Sequence, residues 1–181
     1  LKLKGIDRLI DCYKHFPSLS KHTVGITTRK ELVDWLDTNI PKHHFYANFP
    51  KDRIPSLLEG KAGSILLITS RYEGFSLSLI EGMSQGLIPV TYGVGIAPEI
   101  IQNGKNGFLV STQGEARRAI EYILHLPPED RRALAKAAQT TARKFTSQKI
   151  CERLQAVYQQ TLERAAKERK EKKEEKENRS H

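Results

Sequence analysis

A four-residue aliphatic run, Ile65-Leu66-Leu67-Ile68, stands between Gly63-Ser64 and Thr69-Ser70. Its length and lack of alternation suit a strand buried on both faces, as in a parallel sheet. From Leu77 the period becomes helical: Leu77, Ile80 and Ser84 fall on one row, Leu79 and Met83 on a second, and Gly86 stands where the helix should end. Ile88-Pro89-Val90-Thr91-Tyr92 then reads as another buried strand, with Pro89 near its start, where a missing donor costs least. Strand, loop, helix and strand in close succession constrain the rest of the chain.

The same alternation runs from end to end. After Lys4-Gly5, the positions Ile6, Leu9, Ile10, Tyr13 and Phe16 recur at helical spacing and stop before Pro17. Thr23 to Thr27 reads as a short strand, Arg29 to Asn39 as a helix with Leu32, Val33 and Leu36 inward, and His43 to Ala47 as the next strand. Neighbouring residues of a strand point to opposite faces, so His43 and His44 should be one half-buried and one exposed imidazole rather than a shared metal site. Ile54 to Glu59 is a short helix and Gly107 to Val110 a last short strand. Beyond Thr112 the pattern is wholly helical, broken at Pro127-Pro128, with Leu134 to Ala142 in one helix and Ile150, Leu154, Val157, Tyr158 and Leu162 on the stripe of another. The predicted class is α/β: a Rossmann-like parallel sheet flanked by helices, with a helical C-terminus. Residues 1–162 make one domain. Residues 163–181 form a charged tail, either a frayed single helix supported by Glu163/Lys167 and Glu168/Lys172 or disordered. Leu1-Lys2-Leu3 reads as the end of a strand that starts before residue 1, as in a piece cut from a longer protein.

The chemistry concentrates between the two aliphatic strands. Ligands of open α/β sheets bind beyond the carboxyl ends of the strands, which is where Ser70 to Ser76 falls. The helix start offers the backbone N–H groups of Ser76, Leu77 and Ser78 and the positive end of the macrodipole, which together suit a phosphate. Glu73 lies in the loop and Glu81 about one turn into the helix. An ionised carboxylate such as Glu81 only accepts hydrogen bonds, so it suits the paired hydroxyls of a ribose or sugar. Lys4, just ahead of the first helix, belongs to the same sheet edge, where an ammonium can neutralise phosphate and the charge left on a departing diphosphate. Gly93 and Gly95 permit either a close approach to ligand or a plain turn. They lack the third glycine of a dinucleotide fingerprint. No Asp-x-Asp pair occurs, so neither a metal-bridged diphosphate nor any other cofactor is expected.

The run from Glu73 to Glu81 resembles the E-x7-E motif of the GT-B glycosyltransferases of family 4 (group 1), which move a sugar from a nucleotide sugar to an acceptor. Lys4-Gly5-Ile6-Asp7, Pro98-Glu99-Ile100-Ile101 and Asn106-Gly107-Phe108-Leu109-Val110 resemble three further family stretches, in the family's order and spacing, across residues 4 to 162. The resemblance implies the C-terminal, donor-binding half of a GT-B fold, with an acceptor-binding N-terminal domain outside this chain and the fragment inactive alone. It makes Glu73 and Lys4 the catalytic residues, and gives Lys4, Gly74, Phe75, Ser76, Leu77, Ser78 and Glu81 to the nucleotide sugar. Glu81 would hold the ribose, Lys4 and the Ser76 to Ser78 backbone the diphosphate, and Glu73 the donor sugar. It also implies retention of anomeric configuration and a UDP-sugar as the first candidate donor. The wording around Ser76 and Gly86 looks most like bacterial enzymes of surface polysaccharide, lipopolysaccharide or teichoic acid synthesis. Two departures stand out: Ser76 occupies a position where the family often has glycine, and so does Ala47. The arginine that usually precedes the lysine would fall before residue 1, with Lys2 as its partial substitute.

Charge bears on partners. The chain of 181 residues carries +9; the tail from Glu163 holds eight Lys and Arg against six Glu, so the first 162 residues keep +7. A basic surface attracts nucleic acid, anionic lipid or anionic substrate. No nucleic-acid signature accompanies it, which leaves a phosphate-bearing ligand or an anionic membrane surface. No apolar window is long enough to span a membrane. Cys12 and Cys151, without a C-x-x-C partner and in helical patterns, read as buried reduced thiols, which favours the cytoplasm, free or peripheral at the inner face of the membrane. A GT-B-like epimerase or phosphorylase and a non-catalytic module for nucleotides or anionic surfaces are the alternative functions.

Overall fold

The computed structural model describes residues 3–25 and 28–178. The expectations placed on Leu1, Lys2, Ile26, Thr27 and the last three residues lie outside the described residues. In chain order the elements are α1 (Ile6–His15), β1 (Lys21–Gly25), α2 (Lys30–Asn39), β2 (His43–Ala47), α3 (Ile54–Leu58), β3 (Ile65–Ile68) and α4 (Leu77–Ser84). They continue as β4 (Ile88–Tyr92), α5 (Ala97–Ile100), β5 (Phe108–Val110), α6 (Gln113–His125), α7 (Pro128–Ala142) and α8 (Ser147–Asn178). Every described strand pairing is parallel: β1 with β2, and β3-β4-β5 in that order. The chain divides between Arg143 and Lys144 into an α/β body and a helical unit.

β4 is buried at all five positions because strands flank it on both sides and helices cover both faces. Its Ile88, Val90 and Tyr92 side chains belong to one of two apolar clusters, and Ile68 of β3 belongs to the other. Val90 and Tyr92 pack with Cys12, Ile120 and Ile123 of α1 and α6. On the other face Leu79 and Met83 of α4 meet Ala97, Ile101 and Ala138. Burial pushes the Cys12 thiol up to about 11, so it stays protonated. Pro89 lies opposite Leu66 in the β3–β4 register but precedes the β4–β5 register, which starts at Val90↔Phe108; Ile88 N donates to Ser64 O on the β3 side, so the N–H that Pro89 lacks falls on the side not yet paired.

Three expectations need correction, and the choice between the two apolar rows of α4, open in the sequence, is decided. β3 is only half-buried at Ile65, Leu66 and Leu67, because among the described strands it pairs on one side alone. In α4 the row of Leu79 and Met83 is the core, whereas Leu77 is 62% exposed and Ser84 faces out. Gly82 explains that choice: a Cβ there would stand 2.5 Å from Leu66 Cδ2, so the helix sits on β3 by its glycine side. β1 begins at Lys21, ahead of the expected Thr23, because the buried Lys21 ammonium donates to the carbonyls of Leu19 (2.8 Å), Pro41 (2.9 Å) and Pro17 (3.4 Å). Cys151 is exposed on α8, not buried; both cysteines are free.

His43 and His44 divide as expected. The His43 side chain is wholly buried, with Nδ1 2.6 Å from Asp37 Oδ1 and Nε2 2.9 Å from Thr23 Oγ1, while His44 is exposed. Helix α8 runs unbroken on both sides of residue 162, and the apolar stripe from Ile150 to Leu162 is exposed.

Residues 3 to 8 are held tightly to the end of β3. Arg71 N donates to Leu3 O (2.8 Å) and Thr69 Oγ1 to Lys4 O (3.1 Å). Gly5 has φ +62°, and a Cβ on it would stand 1.9 Å from Thr69 O, so the approach needs glycine twice over. Arg71 then forks onto Asp7, Nη1 to Oδ1 at 2.7 Å and Nη2 to Oδ2 at 2.6 Å. That guanidinium holds the Asp7 carboxyl far below the usual carboxylate range.

Three substitutions test these contacts through stability. Gly5→Ala should cost about 3 kcal/mol or more in denaturant unfolding, combining left-handed strain with a backbone collision. Gly60→Ala, equally left-handed at φ +71° with open space around it, should cost only about 1 kcal/mol. Because the folded Asp7 pKa is depressed, its contribution is present above the unfolded value near 4 and lost as pH falls through the folded one. The melting temperature of Asp7→Asn should therefore trail the wild type at pH 7, by a small margin because both partners are exposed, and converge with it as pH falls towards 2.

Candidate functional site

The loop between β3 and α4 is assembled from α1 outward. Arg8, in the first turn of α1, points Nη1 at Thr69 O (3.3 Å) and Ser70 O (3.5 Å), and its guanidinium lies 3.8 Å above the centroid of the Tyr92 ring. One cation thus joins the carboxyl ends of β3 and β4. With Ser70 fixed, its Oγ donates to Glu73 Oε1 at 2.7 Å, and Lys4 Nζ donates to the same oxygen at 2.8 Å. The Glu73 side chain is 15% exposed and that of Lys4 67%, so the pair lies at the mouth with the carboxylate inside. Burial pushes the Glu73 carboxyl up, but the bonds from Lys4 and Ser70 outweigh it and leave its pKa below the ordinary value.

The far side of the loop is clamped by the Gly93–Ile96 turn. Ile96 N donates to Phe75 O (3.1 Å), and a Cβ on Gly95, at φ +57°, would stand 2.8 Å from that oxygen. The close approach permitted by this glycine is therefore to the loop's own backbone.

Helix α4 opens at Ser76, which adopts φ 75°, ψ 65°. Left-handed backbone here accounts for a position where glycine would be the unstrained residue. Ser76 is buried, and among the described residues its Oγ has no partner. Among the described residues the N–H groups of Leu77 and Ser78 likewise have no acceptor, leaving donors and the helix dipole directed outward. Gly74 and Phe75 are exposed beside them. Glu81 is exposed on the helix, its carboxylate without a hydrogen-bond or ion-pair partner among the described residues.

Of the residues singled out from sequence, the structure joins Lys4 and Glu73 directly, and carries Gly74 to Ser78 on the same short loop and helix start. Glu81 follows one turn later and touches neither of the paired residues through any hydrogen bond. Arg8, Ser70, Tyr92 and the Asp7–Arg71 fork escaped the sequence reading. Arg8 left a signal, a lone cation inside the apolar row Ile6, Leu9, Ile10, but its partners are 61 and 62 positions away. Among the described residues no three His, Cys, Asp or Glu side chains cluster as a metal site, and no helix is long and apolar enough to cross a membrane.

Comparison with known proteins adds the lineage of this arrangement. The family described as "Glycosyl transferases group 1" matches residues 1–141. The N-acetyl-alpha-D-glucosaminyl L-malate synthase of Bacillus anthracis is 30% identical over 115 residues, 62% of this chain and 29% of that protein. The sucrose-phosphate synthase of Thermosynechococcus elongatus superposes with a TM-score of 0.75 at 21% identity, over 90% of this chain and 43% of that one. The pneumococcal O-GlcNAc transferase GtfA, solved in complex with UDP and GlcNAc, gives 0.68 at 24%, over 90% and 34%. This chain spans less than half the length of each. With the family match over most of the α/β body and the fold shared with GT-B enzymes, the chain belongs to the group 1 glycosyltransferases.

Proposed function

We propose that the chain is the donor-binding half of an enzyme that transfers a sugar from a nucleotide diphosphate sugar to an acceptor, with retention of configuration. Residues 1–162 form the donor domain and residues 163–181 a charged tail without chemistry. The observation that carries this reading is the convergence of Lys4, Glu73 and the free N–H groups of Leu77 and Ser78 beyond the carboxyl end of β3. A cation and a helix N-terminus suit a diphosphate, and a half-buried carboxylate beside them suits the hydroxyls of the attached sugar.

In this reading the diphosphate takes its hydrogen bonds from the start of α4 and its charge neutralisation from Lys4. Gly74, Phe75 and Ser76 shape the backbone around it, and Glu81 accepts from the ribose hydroxyls. Lys4 leaves Glu73 when phosphate arrives, which frees the carboxylate to accept from the donor sugar while Ser70 keeps it in place. As the sugar–phosphate bond breaks, charge grows on the departing diphosphate, where Lys4 and the α4 dipole are already oriented. A UDP-sugar is the donor to test first, in keeping with the UDP bound by the pneumococcal relative. The acceptor belongs to bacterial surface polysaccharide, lipopolysaccharide or teichoic acid chemistry, and binds outside this chain. No metal or other cofactor takes part, and the body works free in the cytoplasm or against an anionic membrane face.

Calorimetric titration of the chain with UDP, GDP and ADP tests the reading. One diphosphate should bind, and Glu81→Ala should weaken it about tenfold or more, the loss of a charge-assisted pair of bonds. Lack of binding by all three to a folded chain would count against it. Lys4→Met should weaken the same diphosphate about tenfold, whereas Glu73→Gln, which releases Lys4, should leave it unchanged or tighter and weaken only the nucleotide sugar. Ser76→Gly should raise stability by about 1 kcal/mol in denaturant melts by removing the left-handed strain of a residue with a Cβ.

A further inference from the structure

A cleft of about 300 Å³ opens at the opposite end of β3 from the loop just described. Ala62 and Gly63, which lead into the strand, form one wall; Arg132, Lys136 and Gln139 of α7, with Arg143 just beyond it, form the other. β3 is four residues long, so roughly 13 Å of strand separates this cleft from the start of the loop that bears Glu73.

Its chemistry is one-sided. Arg132 and Lys136 are one helical turn apart and Arg143 two turns further, so three cations share a row where like charges repel. Among the described residues none of the three has an ion-pair or hydrogen-bond partner for its side chain, and no carboxylate lines the cleft. Arg131, next along the helix, is not part of the lining: its Cδ is 3.6 Å from where a Gly63 Cβ would stand, and its Nη2 donates to Leu124 O at 2.8 Å. The Gln139 amide adds neutral donors; its Nε2 is 3.1 Å from where a Cβ on Gly86 would be, so the glycine keeps room for it. The three cations are exposed, so what an anion in the concavity relieves is their mutual repulsion, while it gives their donors a shared acceptor.

We propose that this cleft binds a phosphate-bearing anion of about diphosphate size. Arginine forks and an ammonium match phosphate oxygens, and the lining holds no aromatic side chain on which a base would stack. The source of the phosphate is either a free phosphorylated compound or an anionic lipid headgroup. The site is independent of the sugar-transfer reading and shares no residue with it.

Amide NMR of the full chain titrated with inorganic pyrophosphate tests it. The Gly63 amide and the Gln139 side-chain amide should shift saturably, and should do so equally in Lys4→Met, which removes the cation at the other end of β3. The triple variant Arg132→Gln, Lys136→Gln, Arg143→Gln should weaken the response about tenfold or more, and Arg143→Gln alone should weaken it severalfold with α7 untouched. Shifts confined to Ser76, Leu77 and Ser78, no shifts at all, or shifts that survive in a folded triple variant would overturn the proposal. Vesicles of phosphatidylglycerol, with phosphatidylcholine as control, identify the source. Perturbation of the same two amides, competing with pyrophosphate, supports the cleft and assigns it to a headgroup; indifference to vesicles with the pyrophosphate response intact supports it and assigns it to a free phosphate compound.

Discussion

The contact on which the site depends is the passage of Gly5 over the backbone of Thr69. A side chain at residue 5 has nowhere to go, so the chain brings its first helix within reach of the end of β3 only by having none. Everything polar around the loop follows from that closeness. Thr69 reaches Lys4 O, Arg71 reaches Leu3 O and forks onto Asp7, and Arg8 spans to the carbonyls of Thr69 and Ser70. Moving α1 outward by the width of a methyl group would loosen all of them together, because none has slack at these distances.

From there a relay of short contacts runs to Glu73. Arg8 rests on Tyr92, a buried ring at the end of the central strand, so the guanidinium takes its position from the core. It fixes the carbonyl of Ser70, the hydroxyl of Ser70 fixes one oxygen of Glu73, and Lys4 meets that same oxygen from outside. The loop's other side is pinned to Gly95 and Ile96. A loop held from both sides spends little conformational entropy on ordering when a ligand arrives, which is how a rigid scaffold makes use of a surface segment.

Much of this was legible from residue order. The aliphatic runs Ile65–Ile68 and Ile88–Tyr92 became β3 and β4 with unchanged bounds, and His43–Ala47 became β2, because short strands with strong apolar content leave little freedom. The loop position of Glu73 and the helical position of Glu81 followed from the same periodicity. What stayed hidden depends on distant partners. Nothing near Lys21 in the sequence announces that three carbonyls will receive its ammonium and let β1 start there. The choice between two apolar rows of α4 turned on Gly82 meeting Leu66, a contact across the sheet that helical spacing does not encode. Arg8, Ser70 and Tyr92 are ordinary residues in their own segments and gain importance only from one another.

Under the donor-binding reading proposed above, the joined Lys4 and Glu73 side chains give the mouth a selectivity that neither would have alone. With its ammonium already matched at 2.8 Å, Lys4 does not act as an open trap for whatever anion diffuses past. A stray phosphate or chloride has to displace a carboxylate tethered to the same scaffold, whose effective concentration far exceeds that of most free ions. Only a visitor that offers Glu73 new donors while it offers Lys4 new acceptors exchanges one satisfied pair for two. In that donor-binding reading, the pair acts as an internal plug whose key carries hydroxyls and negative charge on a single molecule.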